Sequence, residues 1–154
     1  MPITPRDKQE LDQIYSDYKA KFNGRKEDYF ALLYLCRKFK CTAEQVGNQV
    51  AFGGNDYGLD AFYLDRPSFN LYLYQFKWSE NHNLFKQSME RLAVDGLTQV
   101  FGNPTVDPMK NDLLNTLQGE LCEKPRIDRV FVHMVLPHSR ADRCVDFLGV
   151  QPVY

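Results

Sequence analysis

Gly53-Gly54-Asn55-Asp56-Tyr57-Gly58-Leu59-Asp60-Ala61-Phe62-Tyr63-Leu64-Asp65, a proline-containing turn, and Asn70-Leu71-Tyr72-Leu73-Tyr74-Gln75-Phe76-Lys77 together decide how this chain is read. Residues 61–65 and 71–77 are rich in aromatic and aliphatic side chains, and Arg66-Pro67-Ser68-Phe69-Asn70 separates them. That pattern predicts a β-hairpin. An acid, Asp60, stands at the mouth of its first strand. Gln75 and Lys77 close the second strand two residues apart, so both point to one face. An amide and a cation on the inward side of such a strand are costly unless they have partners.

Outward from the hairpin, the period changes to that of helices. Leu11, Ile14, Tyr15, Tyr18 and Phe22 recur at three-to-four spacing, predicting an amphipathic helix over 6–22 that Asn23-Gly24 stops. A second helix, from about Glu27 to Phe39, is apolar nearly all round and reads as buried. Thr42 and Gln45 resemble a capping box, which opens a short third helix over 43–50. Beyond the hairpin, helical spacing returns over 84–101, and Gly102-Asn103-Pro104 ends it. Asp107-Pro108 is expected to open another helix to about Cys122. The apolar run Arg129 to Leu136 reads as a central strand covered on both faces. Ser139 is placed to cap a last helix to about Leu148. The order is α-α-α-β-β-α-α-β-α, a mixed α/β fold.

The 154 residues suit a single domain, 1–154, with a real core; 44% are hydrophobic and 25% charged, the composition of a soluble globular protein. No apolar run approaches the roughly 20 residues of a membrane span, so no membrane partner is expected. The N-terminus lacks the apolar core of a secretory signal. Cys36, Cys41, Cys122 and Cys144 show no CxxC spacing and read as reduced, mostly buried thiols of a cytoplasmic protein. Val153 and Tyr154 suit the start of another strand, so the chain also reads as the front part of a longer protein.

A net charge of −1 excludes coating nucleic acid by bulk charge alone. Basic residues do cluster at Lys19, Lys21, Arg25 and Lys26, and at Arg37, Lys38 and Lys40, although such clusters are more often solvated helix faces. Gly53, Gly54 and Gly58 form no GxGxxG or Walker pattern. Asp56, Asp60 and Asp65 fail the calcium-loop template. His82, His133, His138 and Cys144 announce no zinc spacing.

Asp60 and Gln75 are hard oxygen donors suited to Mg²⁺ or Mn²⁺, and the backbone carbonyl of Phe76 adds a third oxygen from the same strand. A lysine beside such an ion orients an attacking water or stabilises charge developing on a phosphate. These are the parts of a metal-dependent phosphodiesterase. The bland alternative is a chance hairpin whose lysine protects an edge strand. Asp56 is expected to shape the turn through backbone hydrogen bonds, with a contact to Lys77 as the other option. Trp78 either packs beneath the site or stacks on a base, and core packing is the safer of the two.

Asp60, a gap of fourteen residues, and Gln75-Phe76-Lys77 resemble the PD-(D/E)XK nuclease motif in its variant with glutamine as second acid. The string from Gly54 through Gly58 to Ala61 is similar to the glycine-aspartate entry of Mrr-like restriction endonucleases. It is closer still to the N-terminal domain of abortive-infection phage-resistance proteins. The resemblance covers residues 25–80 well and the rest by element order. It implies a restriction-endonuclease-like fold, a mixed central sheet with N-terminal and flanking helices. It also implies metal-dependent cleavage of DNA, with RNA as the other substrate, in defence against phage or other foreign DNA. Under it, Asp60 and Gln75 are metal ligands, Lys77 is the catalytic cation, and Glu27 matches a helix glutamate that assists. Lys21, Arg25 and Lys26 would then touch phosphates. A homodimer, C-terminal domains and other protein partners stay open. Two departures stand out. Tyr57 replaces a frequent glycine, and the amide of Gln75 removes one negative charge, so weaker metal affinity is expected. A catalytically inactive domain of the same fold that binds nucleic acid, or one that binds a protein partner, is the alternative.

Overall fold

A Thr4 cap starts the fold. Its hydroxyl accepts the Asp7 N–H at 3.1 Å, the Asp7 carboxylate takes the Thr4 N–H at 2.7 Å, and Pro5 occupies the first helical position. The computed structural model describes residues 4–77, 82–102 and 111–135, with backbone alone for 82–85. Helix α1 (Pro5–Phe22) turns Leu11, Ile14, Tyr15, Tyr18 and Phe22 onto α2 (Asp28–Phe39) and its neighbours. Tyr29, Ala31, Leu32, Leu33 and Leu35 of α2 are buried, as its apolar circumference requires. Arg37 ties the two helices together by pairing with Asp7 and Glu10. The expected capping box at Thr42 and Gln45 is present, but α3 (Ala43–Val46) is one turn long and tightens into a 3₁₀ turn over Gly47–Gln49. A side chain at Gly47 would collide with the Phe22 ring.

The hairpin forms as its sequence requires. Strand β1 (Ala61–Asp65) pairs antiparallel with β2 (Asn70–Phe76), with Ala61 opposite Tyr74 and Asp65 opposite Asn70. The chain then runs through α4 (His82–Arg91), a π-helical turn (Leu92–Gly96), α5 (Leu97–Phe101) and α6 (Asp112–Cys122). It returns as β3 (Arg129–Val135), parallel to β2. The sheet order is β1-β2-β3. One face carries Tyr63, Tyr72, Tyr74 and Phe76 against Phe30, Tyr34 and Phe39 of α2. The other carries Phe62, Leu64, Leu71 and Leu73 against Leu92, Val100, Leu113, Leu114 and Leu117. Helices therefore cover a mixed sheet from both sides.

Three expectations need correction. Among the described residues β3 lies at the sheet edge, with none of its residues fully buried, and β2 is the central strand. Burial on both faces belongs to the strand that carries Gln75. Helix α6 begins at Asp112, because Asn111 has extended backbone and caps the helix by accepting the Leu113 N–H at 3.0 Å. Asp107 and Pro108 lie outside the described residues. Cys36 and Cys41 are half-buried and Cys122 is exposed, all three free, where mostly buried thiols were expected. The helix expected over 139–148, Cys144 and His138 lie outside the described residues. Among the described residues no helix is long and apolar enough to cross a membrane.

Candidate functional site

Residues 53–58 build the loop that delivers Asp60. Gly53, Asn55, Tyr57 and Gly58 all have positive φ, at 95°, 63°, 55° and 84°. Tyr57 thus occupies a conformation that favours glycine. Asp56 stabilises the turn, its Oδ1 accepting the Gly58 N–H at 2.8 Å and its backbone carbonyl the Leu59 N–H at 3.0 Å. This is the turn-shaping role its position suggested. The guanidinium of Arg91 stands 3.7 Å from the same Oδ1. Gly58 is needed on two counts, because a Cβ there would also lie 3.2 Å from Nε2 of Gln75.

Asp60 itself is fixed from three directions. Its N–H donates to Tyr74 O at 2.9 Å, its carbonyl accepts the Ala51 N–H at 2.8 Å, and its Oδ2 accepts the Phe76 N–H at 2.6 Å. The residue thereby brackets Gln75 from both sides. The Lys77 N–H goes to Val135 on β3 at 2.9 Å. Peptides alternate edges along a strand, so the N–H and carbonyl of Phe76 both point to the β1 edge. The Asp60 carboxylate sits on that edge. Burial, reinforced by the charges of Asp56 and Asp28, pushes the Asp60 carboxyl up to about 7 against the opposing Phe76 N–H and Lys77 charge.

Gln75 is 5% exposed, and its Oε1 accepts no hydrogen bond among the described residues. A buried, unsatisfied acceptor is uncommon in a folded protein and calls for an explanation. Asp60, Gln75, Phe76 and Lys77 line one cavity of about 240 Å³. Lys77 sits one residue past the central strand, so the edge-protection explanation for it does not apply.

Glu27 occupies the N-cap position of α2, makes no capping bond and reaches the same cavity. Arg25 joins it there. Lys26 instead pairs with Asp12. Lys21 lies 5.2 Å from the Phe22 ring centre and lines a neighbouring depression bounded by Phe52 and Asn55. The expected phosphate-touching set is thus divided, and Trp78 lies outside the described residues.

Three cavity residues escape a reading of the sequence. Asp28 accepts the Arg25 N–H at 2.8 Å and the Gly53 N–H at 3.1 Å, fastening α2 to the site loop. Ser88 and Arg91 enter from α4. Ser88 gives a faint signal as a polar residue within a helical apolar stripe; Arg91 gives none, because its position depends on the π-turn that follows.

A hard divalent cation finds suitable donors here. The set comprises one carboxylate, the unsatisfied amide oxygen and a carbonyl on the same edge, with Glu27 at the rim. Among the described residues, no group of three or more His, Cys, Asp or Glu could hold a metal ion. A divalent ion held here would depend on neutral donors as well. No family model, curated protein or solved structure matches the chain.

Proposed function

We propose that the chain is a metal-dependent nuclease domain of restriction-endonuclease-like fold that hydrolyses phosphodiester bonds in DNA, in defence against phage or other foreign DNA. One observation carries this reading. Asp60, Gln75 and Lys77 line one cavity, where Asp60 is a buried carboxylate and the buried Gln75 Oε1 has no donor among the described residues. Asp60, Gln75 Oε1 and the Phe76 carbonyl would hold Mg²⁺ or Mn²⁺, and Glu27 would act through its waters. When bound, the ion polarises the phosphate and lowers the pKa of water.

The protein's own residues do the rest. Lys77 donates to the attacking water or to a non-bridging phosphate oxygen, placing positive charge where negative charge develops. The Phe76 N–H holds the Asp60 carboxylate in a single orientation. Gly58 keeps the Gln75 amide from being displaced. With only one firm carboxylate, metal affinity is modest, which fits a site completed by the substrate phosphate. The same shortage of acids favours a second reading, a domain that binds nucleic acid without cleaving it.

Supercoiled plasmid DNA with Mg²⁺ or Mn²⁺ separates the two. Nicking or linearisation is expected from the wild type, with at least about 100-fold loss in Lys77→Ala and in Asp60→Ala. Cleavage that survives chelation, or wild-type activity in both variants, would overturn the nuclease reading. Retention of plasmid without cleavage in any divalent metal would establish the second.

A further inference from the structure

Ser88, Leu92, Gly96 and Val100 are all buried, at a spacing of four residues. An α-helix turns every 3.6 residues, so a strict four-residue repeat drifts off one line. The π-turn at Leu92–Gly96 absorbs that drift. It lets the helix press on the site loop. A Cβ at Gly96 would lie 2.9 Å from Tyr57 O, and one at Gly58 would lie 3.3 Å from Leu92 N. Arg91 immediately precedes the π-turn and is carried to the cavity rim, opposite Asp56.

At 3.7 Å, with the Arg91 side chain 53% exposed, this pair is too long for a hydrogen bond. A pair of this kind is worth ~1 kcal/mol or less. A guanidinium gains more from the forked hydrogen bonds of a phosphate. Asp56 does not need Arg91 to keep its turn, since its Oδ1 is already bound to the Gly58 N–H. We propose that Arg91 is a substrate-positioning residue: it binds a backbone phosphate of a polynucleotide entering the cavity and leaves Asp56 to do so. The inference rests on the reading of the cavity as a phosphodiester site, and it adds a cation from the helix beyond the hairpin to Lys77. Asp56 thus tunes substrate affinity by competing for Arg91.

Anisotropy of a fluorescein-labelled DNA duplex, titrated with the full chain in Ca²⁺ across a salt series, tests this. Arg91→Ala should bind about 10-fold more weakly and reduce the salt slope by about 1. Arg91→Lys should keep the slope while losing part of the affinity. Asp56→Asn preserves the turn acceptor but frees Arg91, so binding should tighten about 2- to 5-fold. A purely structural role predicts the opposite sign for Asp56→Asn, with both variants weakened alike, and that result would overturn the proposal. An Arg91→Ala slope equal to wild type would also do so. Duplex binding that depends on Arg91, without cleavage in any metal, would sink the nuclease reading and leave this one intact. Cleavage with an unchanged Arg91→Ala slope would do the reverse.

Discussion

Asp60 combines the properties that a ligand carboxylate needs and a structural one avoids. It is oriented by a 2.6 Å bond from the Phe76 N–H, yet burial lifts its carboxyl to about 7. Because the folded value lies above the unfolded one, the folded state favours the protonated form. Stability from this group is therefore fully present below about pH 4 and is lost as pH rises toward 7. Asp60→Asn keeps an acceptor for Phe76 and removes the charge. It should match wild type near pH 4 and exceed it at pH 8 by about 2–4 kcal/mol, measured by urea unfolding. A variant less stable than wild type at pH 8 would show that the carboxylate is satisfied rather than held at a cost. Metal added at pH 8 should narrow the gap by stabilising wild type alone.

The helix after the hairpin belongs to the site as much as the hairpin does. Its π-turn brings Gly96 so near Tyr57 O that an added Cβ would lie 2.9 Å from that backbone oxygen. Neither side can yield without moving the 56–58 turn. Gly96→Ala should cost about 1–3 kcal/mol, although alanine normally strengthens a helix. It should also reduce DNA cleavage, because the displaced turn carries Asp56 and Gly58. Thermal unfolding and the plasmid assay together check this. An alanine variant as stable and active as wild type would mean that the helix and loop are not in register as described.

At the scale of the whole molecule, the cavity lies where the helical N-terminal half meets the sheet, and Asp28 joins the two. Its Oδ2 receives N–H groups from Arg25, before α2, and Gly53, at the head of the site loop. Removing that acceptor in Asp28→Ala should cost about 1–3 kcal/mol and slow cleavage, although Asp28 is assigned no ligand role. The charge of Asp28 also helps raise the Asp60 carboxyl. Asp28→Asn should therefore move the Asp60 titration midpoint downward, as read by carbon NMR of the carboxyl. An unmoved midpoint would separate Asp28 from the site electrostatically.

The sequence alone determined the elements whose signals are local. Period-two and period-3.6 patterns, capping pairs such as Thr42 with Gln45, and the proline turn set the hairpin and most helices, because their energetics involve near neighbours. It also put Gln75 and Lys77 on one face, since alternation along a strand is a local property. Only the tertiary structure decided the rest. It made β2, not β3, the central strand among the described residues, because sheet order depends on a parallel pairing across more than fifty residues of chain. Asp28, Ser88 and Arg91 reached the cavity through long-range packing, and Lys26 pairs with Asp12 outside that cavity. Such contacts join residues distant in the chain, so no window of sequence contains both partners.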